Sequence, residues 1–495
     1  MATSLMFLSQ TETYATMNFR MASQARYAAE SGIQKASDFL LDSSQYAIPG
    51  TTGSDPLSAY DRTKSPVTYN GQPVVLSAST SKTSNYPVSA VKTAFATAGK
   101  GSLMAGNQKL DYSTYATLIS MQQFESYGGQ PTVVQKWQIT ADGDILAGAR
   151  KAIVEVSGLI ERPKVSANSY AMFATANTCG SIFLKGNINT DSYDSSVGPP
   201  STSTVQSGGN VGTNGNLTIQ GSVSVHGNLS TPRTGVGPCT AGAVDALTSI
   251  GSATVSGSTV QLPTAVSYPL PLLSATPPTT TVTVDTTLLS NAATACSALG
   301  LTSGTNCTVN AASKTITVDG HGTDVTLPSV VVTSGYTLIL NGNNPANTIN
   351  INSLTGAGNV QVDANLTSPT QNQSVVLKIN GKNPDGTDMT VPFDLSTMAW
   401  KQNTLSSNYD ASTLQITYGG TATISMQGGN SQSAVTIYAP NANFELQGTQ
   451  DLYGSVLAKT IYEHGDAGVH YDRRLMKDFY VPGQAMAGTF TWKSF

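Results

Sequence analysis

Charge is what this sequence has least of. Only 11% of its 495 residues are Asp, Glu, Lys or Arg, against roughly a quarter in ordinary soluble domains. The helix surfaces of a helical cytosolic enzyme would be rich in Glu and Lys, so the composition argues against that class. The 25 basic and 29 acidic residues leave a formal net charge of −4. Nothing in that balance invites nucleic acid or an anionic membrane surface. No run of 18 apolar residues occurs, so no segment of the sequence as it stands reads as a membrane span. Cysteine is scarce as well: Cys179, Cys239, Cys296 and Cys307 show neither CxxC nor the Cys/His spacing of a zinc site. No glycine-rich phosphate loop followed by lysine is present, and no nucleotide or other cofactor is expected.

Small neutral polar residues fill the space that charge leaves. Serine contributes 56 positions, threonine 64 and glycine 46. β-Branched Thr and Val suit strands, while Gly and Asn suit turns, so the fold class expected is mainly β. Aliphatic residues alternate in short runs throughout, which excludes a disordered chain. Cys296 and Cys307 flank one short loop, and a disulfide there, formed outside the cytosol, is the favoured reading. Cys179 with Cys239 is a second possible pair, and four reduced thiols the alternative.

The first forty residues read differently. Over residues 4–41, Leu8, Ala15, Ala22, Ala29 and Ala36 recur every seventh position, with Leu5, Phe19, Ile33 and Leu40 beside them. That is helical periodicity with one apolar seam. Arg26 and Glu30, four apart, support the helix from its opposing side. At 1.5 Å per residue the helix would be about 60 Å long, ending over residues 43–50, where Pro49-Gly50 breaks the pattern. Residues 1–46 are therefore taken as a long amphipathic helix, with Leu8, Ala15, Phe19, Ala22, Ala29 and Ile33 as its interaction seam. No capping residue precedes the pattern, so it reads as the tail of a longer apolar helix.

Residues 47–165 form a mixed α/β region. Apolar and polar residues alternate over 66–77 around Asn70-Gly71, a two-residue hairpin signal. Residues 114–124 suggest a short helix. Residues 133–140 and 145–159 predict two strands joined at Asp142-Gly143, with Trp137 and Ile139 on one face and Val154 and Val156 opposite them. Asp142 and Asp144 suggest a calcium loop less well than they suggest a turn. A long helix packed on a small antiparallel sheet is the arrangement these parts add up to.

Residues 166–495 read as a β-solenoid. Glycine recurs every six residues at Gly209, Gly215, Gly221 and Gly227, and again at Gly251 and Gly257. Leu217, Ile219, Val223 and Val225 hold equivalent offsets after each glycine. Stacked coils would bury those aliphatics while Ser, Thr and Asn face water; an antiparallel meander is the alternative. Residues 263–333, with the Pro/Thr-rich stretch 269–281, read as an insertion or extended excursion from the solenoid and not as a separate domain. Short strands resume at 337–340, 348–351, 360–362, 375–379, 421–426 and 434–438.

Two stretches carry a family resemblance. Ser4-Leu-Met-Phe-Leu-Ser-Gln-Thr-Glu-Thr, followed by Met17-Asn-Phe-Arg-Met-Ala-Ser-Gln-Ala-Arg-Tyr-Ala-Ala-Glu-Ser-Gly-Ile, resembles the N-terminal region of PilX-type pilus assembly proteins, relatives of minor pilins and pseudopilins. Ala28-Ala29-Glu30-Ser31-Gly32 matches that family's A-A-E-[AS]-G stretch. Near the other end, Ile437-Tyr-Ala-Pro, Asp451-Leu-Tyr-Gly-Ser-Val-Leu-Ala, Val469-His-Tyr-Asp and Thr491-Trp492 resemble the C-terminal module common in the same family, here residues 434–495. Gly186-Asn-Ile-Asn-Thr-Asp-Ser-Tyr-Asp-Ser matches that group too, and the matched segments cover about a quarter of the chain. The family begins with a basic leader, a processing glycine and an apolar stretch bearing an early glutamate, none of which this sequence contains. The resemblance therefore implies a missing beginning that would reach the inner membrane. It further implies a pilin-like helix and sheet, other pilin-like subunits of a filament or its initiation complex as partners, and a place at the cell surface or on the periplasmic face of the inner membrane.

Candidate chemistry is thin. Glu463-His464-Gly-Asp466 and His470-Tyr-Asp472 form the densest polar cluster, and His464, Asp466, His470 and Asp472 are the metal candidates. The alternative is that these side chains fix a turn and a coil by hydrogen bonds. Asp191 and Asp194 lie close together, as a carbohydrate-cleaving pair requires, though within a motif that the resemblance treats as structural. Ser79-x-x-Lys82 and Ser89-x-x-Lys92 match a Ser-Lys nucleophile pattern that chance explains in a serine-rich chain. The function expected is that of a non-enzymatic structural component or assembly factor of a type IV pilus or related secretion filament, presenting an adhesive solenoid to a surface ligand. A secreted β-helix carbohydrate-active enzyme and a general surface adhesin are the rivals.

Overall fold

The computed structural model describes residues 2–42, 45–49, 56–126, 130–147, 150–343, 346–363, 374–394, 399–402, 409–427, 433–449, 451–477, 479–488 and 491–494. They form two compact units, one of residues 1–125, 131–165 and 482–495, the other of residues 126–130 and 166–481. The larger unit is thus inserted in the sequence of the smaller.

In the smaller unit, helix α1 (Ala2–Asp42) runs for 41 residues without a break. Of the predicted helix end, Ser43, Ser44 and Gly50 lie outside the described residues. Strands β1 (Val75–Ser77), β2 (Lys100–Ala105), β3 (Gln108–Ser126), β4 (Gln130–Ala147) and β5 (Arg150–Glu161) build a sheet in the order β5-β4-β3-β1, with β2 on β3. Met486–Ala487 and Thr491–Ser494 return from the far end of the sequence to pair antiparallel with β5. The Asn70-Gly71 hairpin is present, joining Thr68–Tyr69 to Gln72–Pro73, with φ of 50° and 76° at its two central residues. Such a turn suits the twist of its flanking strands. A second helix, α2 (Ser89–Ala98), buries Val91 and Phe95.

Two local expectations are corrected. Residues 114–124 are strand, inside β3, because their alternate side chains Thr114, Ala116 and Leu118 face the core. Asp142-Gly143 is no turn: β4 continues through it, pairing Asp142 with Glu155 and Gly143 with Val154. The glycine is needed there for another reason. A Cβ on Gly143 would stand 2.0 Å from the Ala25 carbonyl oxygen and 2.6 Å from the Ala29 nitrogen. Helix and strand meet backbone to backbone at that point, and Ala25, Ala28 and Ala29, all fully buried, are small enough to permit it. Trp137, Ile139, Val154 and Val156 do share the buried face, with Trp137 opposite Ile160 and Ile139 opposite Gly158.

The larger unit is a β-helix-like stack of parallel strands. Its first coil supplies Met172–Ala174, Ile182–Gly186 and Asn189–Tyr193; the second, Val211–Thr213, Leu217–Gly221 and Ser224–Val225; the third, Leu229–Thr231, Leu247–Gly251 and Thr254–Val255, with Thr259–Gln261 beyond. Corresponding strands pair in parallel, Ile182 on Leu217 on Leu247. Val211 stacks on Leu229 eighteen residues later, so the six-residue glycine spacing marks the sides of a three-sided coil. One corner of the stack is a column of glycines, Gly448, Gly465, Gly186, Gly221 and Gly251, in register on successive strands. All five have positive φ, between 87° and 134°, so each turns the chain where a Cβ would be strained.

The coils are not stacked in sequence order, which differs from the solenoid expected. The chain starts in the middle of the stack and builds outward to Thr259–Gln261. It then crosses outside the coils through residues 262–280 and builds again from Thr281–Val284 through Val325–Val332, Asn347–Gly356, Val375–Ile379 and Leu414–Tyr418. Ser433–Gly448 and Leu452–Gly465 complete this second arm, and the latter pairs with the first coil, Val456 on Met172 and Ile461 on Ile182. Of residues 263–333, the excursion is confined to the first part, and the rest is not an insertion. Their first part is the return connection and their last part is the outermost coil of the second arm.

Side chains of the coils hold the return connection in place. Asn214 donates to the Val266 carbonyl and accepts from the Val266 N–H at 2.8 and 2.7 Å. The Tyr438 hydroxyl donates to the Pro269 carbonyl, and Asn350 accepts from the Ser274 N–H. A single apolar core, from Ile182 and Leu217 through Leu327, Ile349, Leu377 and Ile416 to Val456, runs through both arms.

Candidate functional site

The helix seam divides into two stretches. Ala29 and Ile33 are buried against the sheet together with Met21, Ala25, Ala36, Phe39 and Leu40, and Ala22 is half-buried at the edge of that contact. Leu8, Ala15 and Phe19 are exposed, and with them Met6, Phe7, Tyr14 and Met17; Phe19 keeps 76% of its surface open. The expectation of one continuous seam is therefore corrected: the sheet covers the helix only from about Met21 onward. Tyr14 lies under the Arg150 guanidinium, 4.3 Å from its centre, and marks where contact with the sheet begins. Arg26 and Glu30 form the expected ion pair at 2.8 Å on the half-exposed side.

The polar cluster near the C-terminal end lies where the two arms of the stack meet. Gly468–Asp472 pairs in parallel with Asn189–Tyr193, setting His470 beside Asp191. The His470 ring shares a 2.5 Å hydrogen bond through Nδ1 with Asp191, lies 3.4 Å through Nε2 from Asp451, and stacks on Tyr453 with ring centres 4.7 Å apart. Burial acts to lower the imidazole's pKa, but the two carboxylates outweigh it and hold the group up at about 9. Asp472 accepts from the Ser195 N–H and hydroxyl and from the Ala411 and Arg474 N–H groups; burial still pushes it up to about 6. The Tyr471 hydroxyl donates to the Asn168 carbonyl and Arg474 pairs with Asp410. Glu463 is fully buried in register with Leu184 and Leu446, with no hydrogen-bond partner for either oxygen among the described residues, and burial pushes it up to about 8.

The four metal candidates do not converge. His464 turns to Glu445 at 3.2 Å and stacks on Tyr462, Asp466 is exposed, and His470 and Asp472 have the separate partners just named. Among the described residues no group of three or more His, Cys, Asp or Glu is placed to hold a metal ion. Asp191 and Asp194 separate likewise, the second closing a local turn onto Ser196. Sequence reasoning missed Asp191 as the partner of His470, since the two are 279 positions apart. It also missed Glu463 as a buried acid; its alternation with Ile461 in one strand was the available signal.

Both cysteine pairs are joined. Cys296–Cys307 and Cys179–Cys239 have Cα–Cα distances of 5.7 and 5.6 Å. The first fastens the short helix Ala292–Ala298 to the strand Cys307–Asn310, and Ala295, Cys296, Leu299 and Leu301 lie buried in the apolar core of the stack.

Comparison with known proteins adds little that is specific. A family model described as a domain of unknown function (DUF7305) matches residues 302–478, within the larger unit. No curated protein matches the chain. Among solved structures, the competence-associated pilin ComZ from Thermus thermophilus aligns with 14% identity over 96% of this chain and 98% of that one, at a TM-score of 0.21.

Proposed function

We propose that this chain is a non-enzymatic structural subunit or assembly factor of a type IV pilus or a related secretion filament. The observation that carries the reading is the change along α1. Residues 21–40 pack on an antiparallel sheet, while Met6, Phe7, Leu8, Tyr14, Met17 and Phe19 stand exposed on the stretch before it. Exposed apolar side chains of this size on one helix mark a surface that another molecule covers. Helices of other pilin-like subunits are the partners that the sequence resemblance implies. Two disulfides fit an oxidising compartment, hence an extracytoplasmic place. The β-solenoid is the part the subunit would offer to its surroundings, as a spacer or an adhesive surface.

The test is incorporation of the full-length protein into filaments sheared from its native host. Leu8→Glu and Phe19→Glu should each reduce incorporation at least tenfold without lowering the thermal stability of the purified chain, because neither side chain is buried in the subunit. Unchanged incorporation in both variants would remove the filament reading. Cleavage of a polysaccharide by the purified chain would favour a carbohydrate-active enzyme instead.

A further inference from the structure

The two ends of the stack are finished differently. At the end that begins with Thr281–Val284, two short helices (Thr286–Leu289 and Ala292–Ala298) bring Leu289, Ala295 and Leu299 into the apolar core, and the Cys296–Cys307 disulfide fastens the second. At the other end the strands Leu247–Gly251, Thr254–Val255 and Thr259–Gln261 pair with the coil beneath; among the described residues, residues 235–237 cover Leu247 and Thr248, and the Ser249 hydroxyl donates to the Ala253 carbonyl. Ser249, Ile250, Gly251, Thr254, Thr259, Val260 and Gln261 are all exposed.

Of the devices that keep a strand edge from pairing, this edge has shortness, in the strands Thr254–Val255 and Thr259–Gln261, but not charge or proline. Natural edges are blunted by charge, proline, a bulge or a covering element. Residues 247–261 include no Lys, Arg, Asp, Glu or Pro. The inward positions also change in part: Leu217, Ile219, Val223, Val225 and Leu229 are followed on the last coil by Leu247, Ser249, Ala253, Val255 and Thr259. The end face has little apolar surface to hide. What it offers a partner is its row of outward backbone groups. The Ser258 carbonyl accepts from Leu229 and the Leu262 N–H donates to Thr231, so by the alternation of a parallel ladder Thr259 and Gln261 aim their N–H groups away from the stack.

We propose that this edge pairs with the same edge of a second copy of the chain, about a two-fold axis, so that the two stacks join end to end through antiparallel strands. A two-fold contact is self-complementary, and each strand then supplies both the donors and the acceptors its mate lacks. A neutral edge meeting its own copy meets no like charge, whereas one bearing lysines would repel itself. A single coil end is a small footprint, at the low end of the specific-interface class, so the association is weak and concentration-dependent. This inference rests on the solenoid alone and stands whether or not the filament reading does.

Sedimentation velocity of the full chain across about 1–200 μM tests it, together with Thr259→Pro and Val260→Lys. The proline removes an outward N–H and leaves the inward ladder in place; the lysine sets like charges against each other across the axis. The expected result is a dimer that forms within this range, and a dissociation constant at least tenfold weaker in both variants at an unchanged melting temperature. Phe19→Glu should leave the dimer intact, which separates it from association through α1. A wild-type chain that stays monomeric throughout, a dimer indifferent to both edge variants, or one abolished by Phe19→Glu overturns the proposal. Should Thr259→Pro melt early, Val260→Lys at an exposed site decides alone.

Discussion

His470 and Glu463 show how the meaning of a residue depends on what lies across from it. In the sequence His470 belongs to a short polar cluster that offers metal ligands but reads better as a tie for a turn and a coil. Its carboxylate neighbour Asp191 comes from the other arm of the stack, and that pairing decides in favour of the tie. The signs of the titrations all agree. His470 is held up at about 9, so the stability it lends is complete below its ordinary value near 6.5 and is lost as pH rises through 9. Glu463, raised to about 8, and Asp472, raised to about 6, favour their protonated forms when folded; ionising them in place costs stability as pH climbs from about 4 through those values. The melting temperature of the larger unit should therefore fall steadily from pH 5 to pH 9.5. His470→Gln should flatten the portion between about 6.5 and 9, measured by circular dichroism melts at matched ionic strength. A melting temperature that rises over this range would contradict the arrangement.

Elements were legible where their signal is local. The helix period, the Asn70-Gly71 hairpin and the strands near residues 337–340, 348–351, 360–362 and 375–379 follow from alternation and turn residues, which adjacent positions settle among themselves. The failures share a cause. Asp142-Gly143 looks like a turn because Asp and Gly usually make turns, but this glycine answers to α1, more than a hundred residues earlier in the chain. Residues 114–124 looked helical because their apolar spacing is ambiguous over so short a run, and the sheet resolves it. The seam of α1 is a continuous pattern in sequence that the sheet interrupts in space. Gly143→Val tests the close contact. Valine suits a strand intrinsically, so a surface strand position such as Ser102→Val should be nearly neutral. At 143 its side chain would push into the Ala25 and Ala29 backbone, and overpacking of this kind costs about 1–3 kcal/mol or more. Urea unfolding followed by Trp137 fluorescence, with Trp400 and Trp492 replaced by Phe, should show the difference; equal stability of the two variants would mean that helix and sheet separate freely.

At the scale of the molecule, the order of coils in space is the property furthest from the sequence. Repeats announce a solenoid, but nothing in a repeat states which coil rests on which. Here the first coil rests on the last, and the joint at Ile182–Ile461 and Met172–Val456 lies between two unequal arms. The shorter arm is little more than three coils, Met172–Ala174 to Thr259–Gln261. Coils of a solenoid are stabilised by their neighbours, and about three are needed before a stack holds on its own. The shorter arm therefore stands at that minimum and leans on the joint more than the longer arm, whose end a disulfide fastens. Ile461 is 1% exposed, and Ile461→Ala should cost about 2–5 kcal/mol at the joint. That loss should fall unevenly. Native-state hydrogen exchange under mild urea should show amides of residues 211–231 and 247–261 losing protection first, while Leu327, Ile349 and Leu377 keep theirs. A control at the far end, Leu327→Ala, should reverse the order by loosening the longer arm and sparing residues 211–231. If both variants lowered protection uniformly, the stack would be one cooperative block and the joint no weaker than any other coil.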